Sequence, residues 1–288
     1  MFNWFPGHMA KTIRLLNEKI RLFDLFIIIL DARLPLTSFN NDIYKMANNK
    51  PILFILNKSD KADLSKLKPF INEYEKKGVV VTTNLKDKLA YKKINSALNN
   101  IYLKVKEKNA QKHKLTPALK CVVLGVPNVG KSTLINLLAG SKVAKVGAMA
   151  GVTKSEQWIN CKNYLLLDTP GLLMPKLKDE ETGAKLAVVS SIKLEALNIN
   201  EVIVATYRLI SKYYPQKIID IKLQPSQDEE EIFSQLSLYA KNNNWILKNQ
   251  LPDIKKAIVQ LISYFNNLNN IVYDQCQEKE QNGWKSKI

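Results

Sequence analysis

Two hydrophobic patterns divide the chain. In the first two-thirds, short continuous apolar runs close on a polar residue: residues 25–31 end at Asp31 and residues 51–57 end at Asn57. A strand covered on both faces has no solvent side on which to alternate, so runs of this length predict central strands of a parallel sheet. The three valines at 79–81 predict a third strand and residues 121–124 a buried fourth. Residues 157–160 and 164–168 read as adjacent strands joined at Cys161, Lys162 and Asn163. Between these runs apolar residues recur at helical spacing, over 9–23 (Ile13, Leu16, Ile20 and Phe23 on one face), 41–47, 64–77 and 89–105, and a further helix opens at Thr133. The lysine-rich stretch 104–114, closing at Thr116-Pro117, reads as a linker or an exposed helix end. Strands alternating with helices of these lengths predict an α/β fold with a mainly parallel sheet.

From about residue 200 the strand signals fade. Residues 200–209, 228–239 and 252–265 have helical apolar spacing with acidic residues in their early turns. They predict a small all-α C-terminal domain, dividing the chain into 1–198 and 199–288. The polar tail from Asp274 is expected to fray. No repeat of fixed period is visible.

Composition narrows the class. With 288 residues, 46% of them apolar, the chain can bury one large or two modest cores. Cys121, Cys161 and Cys276 are odd in number and widely spaced, which excludes a zinc or disulfide framework and suits a reducing, cytoplasmic setting. The longest apolar run, residues 25–30, is too short to cross a bilayer, and no secretory signal opens the chain, so no membrane partner is expected. Nothing in the pattern indicates self-association, and a monomer is expected. The net charge of +17 points to a polyanion such as nucleic acid. Its distribution is uneven: residues 1–200 hold 32 Lys and Arg against 16 Asp and Glu, whereas 201–288 hold 11 against 10. The basic field is densest over 86–120. A lysine-rich solvated surface is the bland alternative.

Four short stretches carry chemistry. Gly125-Val126-Pro127-Asn128-Val129-Gly130-Lys131-Ser132, followed by Thr133, matches G-x-x-x-x-G-K-[ST] between a predicted strand and a predicted helix. There backbone N–H groups from Asn128 to Thr133 can surround a β-phosphate, Lys131 reaches the β- and γ-phosphates, and the Ser132 hydroxyl holds Mg²⁺. Asn57-Lys58-Ser59-Asp60 matches the N-K-x-D guanine box. The Asp60 carboxylate can accept from N1–H and the 2-amino group of guanine, neither of which adenine offers; a site built this way discriminates by roughly 10⁴–10⁵. Asn57 and the stem of Lys58 would brace the loop and cover the base. Asp168-Thr169-Pro170-Gly171 matches D-x-x-G: Asp168 would hold Mg²⁺ through water and the Gly171 N–H would bond the γ-phosphate. Thr153, in the small-residue stretch 141–153, is the candidate second hydroxyl ligand of Mg²⁺. Thr82-Thr83-Asn84 is the candidate base-side loop, with Thr83 and Asn84 against the base, although it departs from the usual Ser-Ala.

The order of the boxes is unusual. Ordinary G domains run phosphate loop, threonine loop, D-x-x-G, N-K-x-D; here the guanine box comes first. All are loops at one edge of a sheet, so a chain cut and rejoined elsewhere can keep the site. The segment after D-x-x-G then runs toward the helical domain, so γ-phosphate contacts at Thr153 and Gly171 are expected to reposition it.

These boxes in this order, with Trp4-Phe5-Pro6-Gly7-His8-Met9 at the N-terminus, resemble the circularly permuted GTPases, most closely the ribosome biogenesis GTPase A (YlqF/RbgA) family. The resemblance covers about residues 1–200; the C-terminal region fits in position and size only. It implies an α/β P-loop GTPase that converts GTP to GDP and phosphate, acts in late assembly of the large (50S) ribosomal subunit, binds ribosomal RNA in a nucleotide-dependent way, and leaves after hydrolysis. Ala150 stands where the family usually has proline. The family's C-terminal domain is expected to contact RNA, yet here its charge is nearly balanced.

Leu172 follows the D-x-x-G box where many GTPases carry a water-orienting glutamine. Leucine cannot hydrogen-bond water, so low intrinsic turnover, raised by the ribosomal subunit, is expected. The resemblance offers His8 as the catalytic group; from the residues alone His8 is equally a turn stabiliser. The resemblance also implies that Asn128 coordinates K⁺, while asparagine is favoured at turns in any case. A GTP-dependent switch acting on a protein partner, with the basic surface incidental, is the alternative function. No C-x-x-C or H-x-E cluster supports an RNA-modifying enzyme.

Overall fold

The computed structural model describes residues 14, 18–47, 49–140, 157–161, 163–168 and 179–275. Most of the helix expected over 9–23, the stretch 4–9 with His8, the loop 141–153 with Thr153, the side chain of Asp168, Thr169 to Leu172 with Gly171, and the tail beyond 275 lie outside the described residues.

Six strands form one sheet: β1 (Leu25–Asp31), β2 (Ile52–Asn57), β3 (Val79–Thr82), β4 (Leu119–Leu124), β5 (Gln157–Cys161) and β6 (Tyr164–Asp168). Their order is β3-β2-β1-β4-β6-β5. Every neighbouring pair is parallel except the β5–β6 hairpin at one edge. β1 and β2 are buried throughout because both faces are covered. Leu25, Ile27 and Ile29 join one core cluster, while Phe26, Ile28 and Leu30 pack with Phe39, Phe54, Phe70 and Tyr74 in a second. This period-two division of one continuous apolar run is what two covered faces require. β1 lies between the guanine-box strand β2 and the phosphate-loop strand β4, with Asp31 opposite Asn57.

The helices are α1 (Asn41–Ala47), α2 (Leu64–Glu75), α3 (Ala90–Ala110), α4 (Lys131–Ala139), α5 (Glu180–Val188), α6 (Ile199–Tyr213), α7 (Pro215–Ile219), α8 (Glu229–Asn242) and α9 (Ile254–Asn266). Side-chain caps start several of them: Asp63, Asp179, Asp228 and Asp253, and Asn198 before α6, accept from first-turn N–H groups. α3 runs past the expected end at residue 105 and takes in much of the lysine-rich stretch, since lysine, glutamate and alanine are good helix formers. α5 and α7 have no counterpart in the sequence expectation. α5 packs on α6 and α9, and one hydrophobic cluster runs from the sheet into these helices.

The expectation that the chain frays from Asp274 is corrected at Asp274 itself; the rest of that tail, beyond 275, lies outside the described residues. The Asp274 carboxylate is 2% exposed and accepts from the Leu36 and Thr37 N–H groups at 2.8 Å each and from the Thr37 hydroxyl. Tyr273 N–H donates to the Arg33 carbonyl and Ile271 N–H to that of Lys61. These bonds act together with the fully buried side chains of Ile271, Val272 and Tyr273 just before it to order Asp274.

Candidate nucleotide-binding site

The carboxyl ends of β1, β2 and β4 bring the guanine box and the phosphate loop together, where ligands bind in open parallel sheets. Asn57 is the joint between them. Its Nδ2 donates to the Val129 carbonyl at 2.7 Å, and its Oδ1 accepts from Lys58 N–H at 2.8 Å and Leu85 N–H at 2.9 Å. One buried amide thus ties the guanine box to the phosphate loop and to the end of the Thr83-Asn84 loop. Gly130 makes the approach possible: a Cβ there would lie 2.5 Å from Asn57 Nδ2, and its φ of +116° is closed to side chains. Gly125 does the same against β1, where a Cβ would meet the Ile29 carbonyl oxygen at 2.5 Å.

Lys131 is buried and donates through Nζ to the Gly125 and Val126 carbonyls at 3.1 and 3.0 Å, holding its ammonium inside the loop. Ser132 and Thr133 follow in the first turn of α4, both partly exposed. Asp168, the last residue of β6, is in register with Val123, two positions before Gly125. Hydroxyl and carboxylate oxygens are the hard donors Mg²⁺ takes, so Ser132 and Asp168 fit that ion. Among the described residues no cluster of His, Cys, Asp and Glu offers another metal site.

On the base side, Lys58 takes a left-handed conformation (φ +62°) that turns the chain into the Ser59–Lys61 turn and leaves Asp60 exposed. Ser59 N–H donates to the Thr83 carbonyl and Thr83 N–H to that of Leu56, placing Thr83 directly beside the guanine box. Asn84 caps the following turn through Lys86 N–H.

Behind this loop sits an ion cluster that the sequence reading missed. The fully buried Asp31 accepts from Arg33 at both carboxylate oxygens, 3.0 Å to Nε and 2.9 Å to Nη2, and from Lys58 Nζ at 2.9 Å. Burial alone would raise the Asp31 carboxyl, but Arg33 and Lys58 hold it well below the usual carboxylate range. Arg33 Nη1 continues to Asn266 at the end of α9, 2.6 Å to its carbonyl and 3.2 Å to its Oδ1. Asn266 Nδ2 donates to Ser190 Oγ at 3.0 Å, and the Ser190 carbonyl accepts from Asn128 Nδ2 at 2.7 Å. Ser191 Oγ adds a bond to the Pro127 carbonyl. Guanine box and phosphate loop are therefore joined twice, directly through Asn57 and around the back through the helical region. The available signals were the charge ending the β1 run and a second charge at Arg33; Ser190 and Asn266 carried none.

Two other features contribute little to such a site. A cavity of about 750 Å³ beside α8 is lined by Asp228, Glu229 and Glu230, carboxylates that repel phosphate. Burial pushes the Cys121 and Cys161 thiols up, away from the reactive thiolate.

Comparison with known proteins agrees with this geometry. A family model described as a 50S ribosome-binding GTPase matches residues 120–237, a segment that holds the phosphate loop and Asp168 but not the earlier guanine box. The chain is similar to ribosome biogenesis GTPase A of Bacillus cereus, 37% identical over 259 residues that cover 89% of this chain and 87% of the relative. Against the Priestia megaterium protein of the same name it is 40% identical, covering 75% and 76%. The GDP-bound structure of T. maritima YlqF superposes with a TM-score of 0.67 at 23% identity, covering 91% of this chain and 99% of that one, and so shares the fold. GTPases of this kind depend on Mg²⁺. On this identity and coverage the chain belongs to the ribosome biogenesis GTPase A (YlqF/RbgA) family of GTPases, with a P-loop fold in permuted motif order.

Proposed function

We propose that the chain is a GTP-hydrolysing assembly factor for the large (50S) ribosomal subunit that binds ribosomal RNA in a nucleotide-dependent way. The observation that carries the nucleotide part is the Asn57 amide, which locks a guanine-specific loop to a phosphate loop in one site. Support for the ribosomal part comes from relatives named ribosome biogenesis GTPase A, whose length this chain nearly spans, and from the excess of basic residues.

In this reading Asp60 selects guanine, with Asn57, Lys58, Ser59, Thr83 and Asn84 shaping the base side. The N–H groups from Asn128 to Thr133 and of Gly171 hold the phosphates, and Lys131 leaves its loop carbonyls to meet them. Ser132, Thr153 and Asp168 hold Mg²⁺, which supplies charge neutralisation at the β- and γ-phosphates. Leu172 cannot orient water, so intrinsic turnover is low and the subunit stimulates it, with His8 as the water-orienting group and K⁺ held at Asn128. Residues 1–198 act as the G domain and 199–288 as the ribosome-facing helical part of a cytoplasmic monomer without a membrane partner.

Sedimentation through a sucrose gradient tests the reading. With a non-hydrolysable GTP analogue the chain should travel with the large subunit, and with GDP it should stay at the top. Free protein at the top in every nucleotide state would sink the proposal.

A further inference from the structure

We infer that the turn closing α5, Ser190 and Ser191, is a positioning element for the phosphate loop, setting the peptide between Pro127 and Asn128 for the phosphates that GDP and GTP share. This rests on the reading of residues 125–132 as a phosphate loop and adds to it two residues from outside the motif. α5 ends in a Schellman turn: Ser190 N–H donates to the Ala187 carbonyl at 2.9 Å and Ser191 N–H to the Leu186 carbonyl at 2.8 Å. The residue just past the cap of such a turn is left-handed, and glycine is its usual occupant. Here that residue is Ser190, at φ +61°. A Cβ disfavours this backbone, so the surroundings must hold it. Its Oγ accepts from Asn266 Nδ2 at 3.0 Å, and its carbonyl accepts from Asn128 Nδ2 at 2.7 Å. Asn128 is itself left-handed, at φ +58°, so two residues in a sparsely populated conformation brace each other.

Ser191 grips the same place through the backbone. It is 2% exposed and donates through Oγ to the Pro127 carbonyl at 3.0 Å. In a planar trans peptide the C=O and the next N–H point in opposite directions. Fixing the Pro127 carbonyl toward Ser191 therefore aims the Asn128 N–H away from Ser191. That N–H is the first of those assigned to the phosphate cradle, so one turn sets both the side chain and the peptide plane of Asn128. The two contacts reach across 62 and 64 positions of the chain. The bond from Asn266, at the end of α9, ties the same turn to the helical region. A cradle for the β-phosphate serves GDP and GTP alike, so this brace should act on both nucleotides. Contacts to the γ-phosphate would act on GTP alone.

Titration of the full-length chain with fluorescent GDP and a fluorescent non-hydrolysable GTP analogue tests the brace. Ser190→Val puts a β-branched side chain where the backbone is left-handed, turning the carbonyl off Asn128, and should weaken both nucleotides by about tenfold. Ser190→Gly keeps the left-handed turn and its carbonyl and should stay within about twofold of wild type. Both variants lose the bond from Asn266, so the difference between them reports the backbone. Ser191→Ala removes one hydroxyl and should weaken both nucleotides by about threefold, the net worth of one hydrogen bond. A turn with a merely structural role would lower the urea midpoint and leave both affinities unchanged. In an Asn128→Ala background most of the Ser190→Val loss should vanish, because Asn128 is the route. Wild-type affinities in Ser190→Val, a loss confined to the GTP analogue, or an undiminished loss in the Asn128→Ala background overturns the inference. Should Ser190→Val not fold, Ser191→Ala decides, and wild-type affinity for both nucleotides there overturns it. If wild type binds neither nucleotide, the phosphate-loop reading falls and the brace with it; if wild type binds and the variants bind equally, the brace falls alone.

Discussion

Arg33 and Asn266 lie 233 positions apart, yet Arg33 Nη1 donates to the Asn266 carbonyl at 2.6 Å while the rest of the guanidinium grips Asp31. The last turn of α9 is thereby bolted to the strand end beside the guanine box. Lys61 adds a neighbouring link, through its carbonyl to Ile271 N–H and its Nζ to Asn267 Oδ1 at 3.2 Å. Any movement of the helical region on nucleotide exchange must therefore pull on the base side of the site as well as on the phosphate side.

Removing one partner of this buried cluster should be costly. Asp31→Asn leaves Arg33, 1% exposed, without its counter-charge, and a loss of about 3–5 kcal/mol is expected from urea denaturation. The pH dependence has a definite sign. Because the folded-state pKa of Asp31 is depressed, its contribution is fully present above the ordinary carboxylate value near 4 and is lost as pH falls below it. The gap between wild type and Asp31→Asn should thus be constant from about pH 5 to 8 and narrow below about pH 4. A gap that instead narrows near neutrality would assign the stabilisation to another group.

How much of this was legible in advance depends on the range of each interaction. β1 and β2 showed in the sequence because burial on both faces leaves a continuous apolar run, and the boxes showed because a phosphate cradle needs glycines and Lys131 at fixed local spacing. The cluster behind them did not, since Asp31 and Arg33 make sense only with Asn266 in place, and spacing along the chain does not report a contact across 233 residues. Asp274 misled for the same reason: among polar neighbours a carboxylate reads as solvated until its partners, the Leu36 and Thr37 N–H groups, are known. α7, five residues long, has too few turns to show a periodicity.

Hydrolysis should separate from binding at His8. Leu172 removes the usual water-orienting side chain, so in the proposed mechanism His8→Ala lowers subunit-stimulated GTP turnover by at least tenfold while leaving GTP affinity unchanged, in line with the usual size of general acid–base effects. Single-turnover assays with and without the large subunit measure both. Unchanged stimulated turnover would remove His8 from the mechanism.

Asn128 offers a test of the potassium proposal. Its Nδ2 is turned toward the Ser190 carbonyl at 2.7 Å, which fixes the orientation of the amide within the phosphate loop. Turnover should be faster in KCl than in NaCl at equal ionic strength, and Asn128→Ala should abolish the difference. Equal rates in the two salts for wild type would dismiss a role for K⁺.

The junction between the two halves of the site should be intolerant of a single methyl group. At Gly130 a Cβ would stand 2.5 Å from Asn57 Nδ2 and 3.0 Å from Leu85 Cδ1, with φ at +116°. Asn57 cannot yield without giving up its 2.7 Å bond to the Val129 carbonyl, the direct link between guanine box and phosphate loop. Backbone strain of this kind costs about 1–3 kcal/mol. Gly130→Ala should therefore lower the urea midpoint and weaken GTP binding by at least tenfold. Gly140→Ala is the matched control: its φ is also positive, +67°, but nothing lies within 4 Å of the added Cβ. It should cost about 1 kcal/mol of stability, the ordinary left-handed penalty, and leave GTP affinity at the wild-type value. Isothermal titration of the two variants separates backbone strain from the steric clash: equal affinities would mean that the Asn57 joint does not govern the nucleotide site.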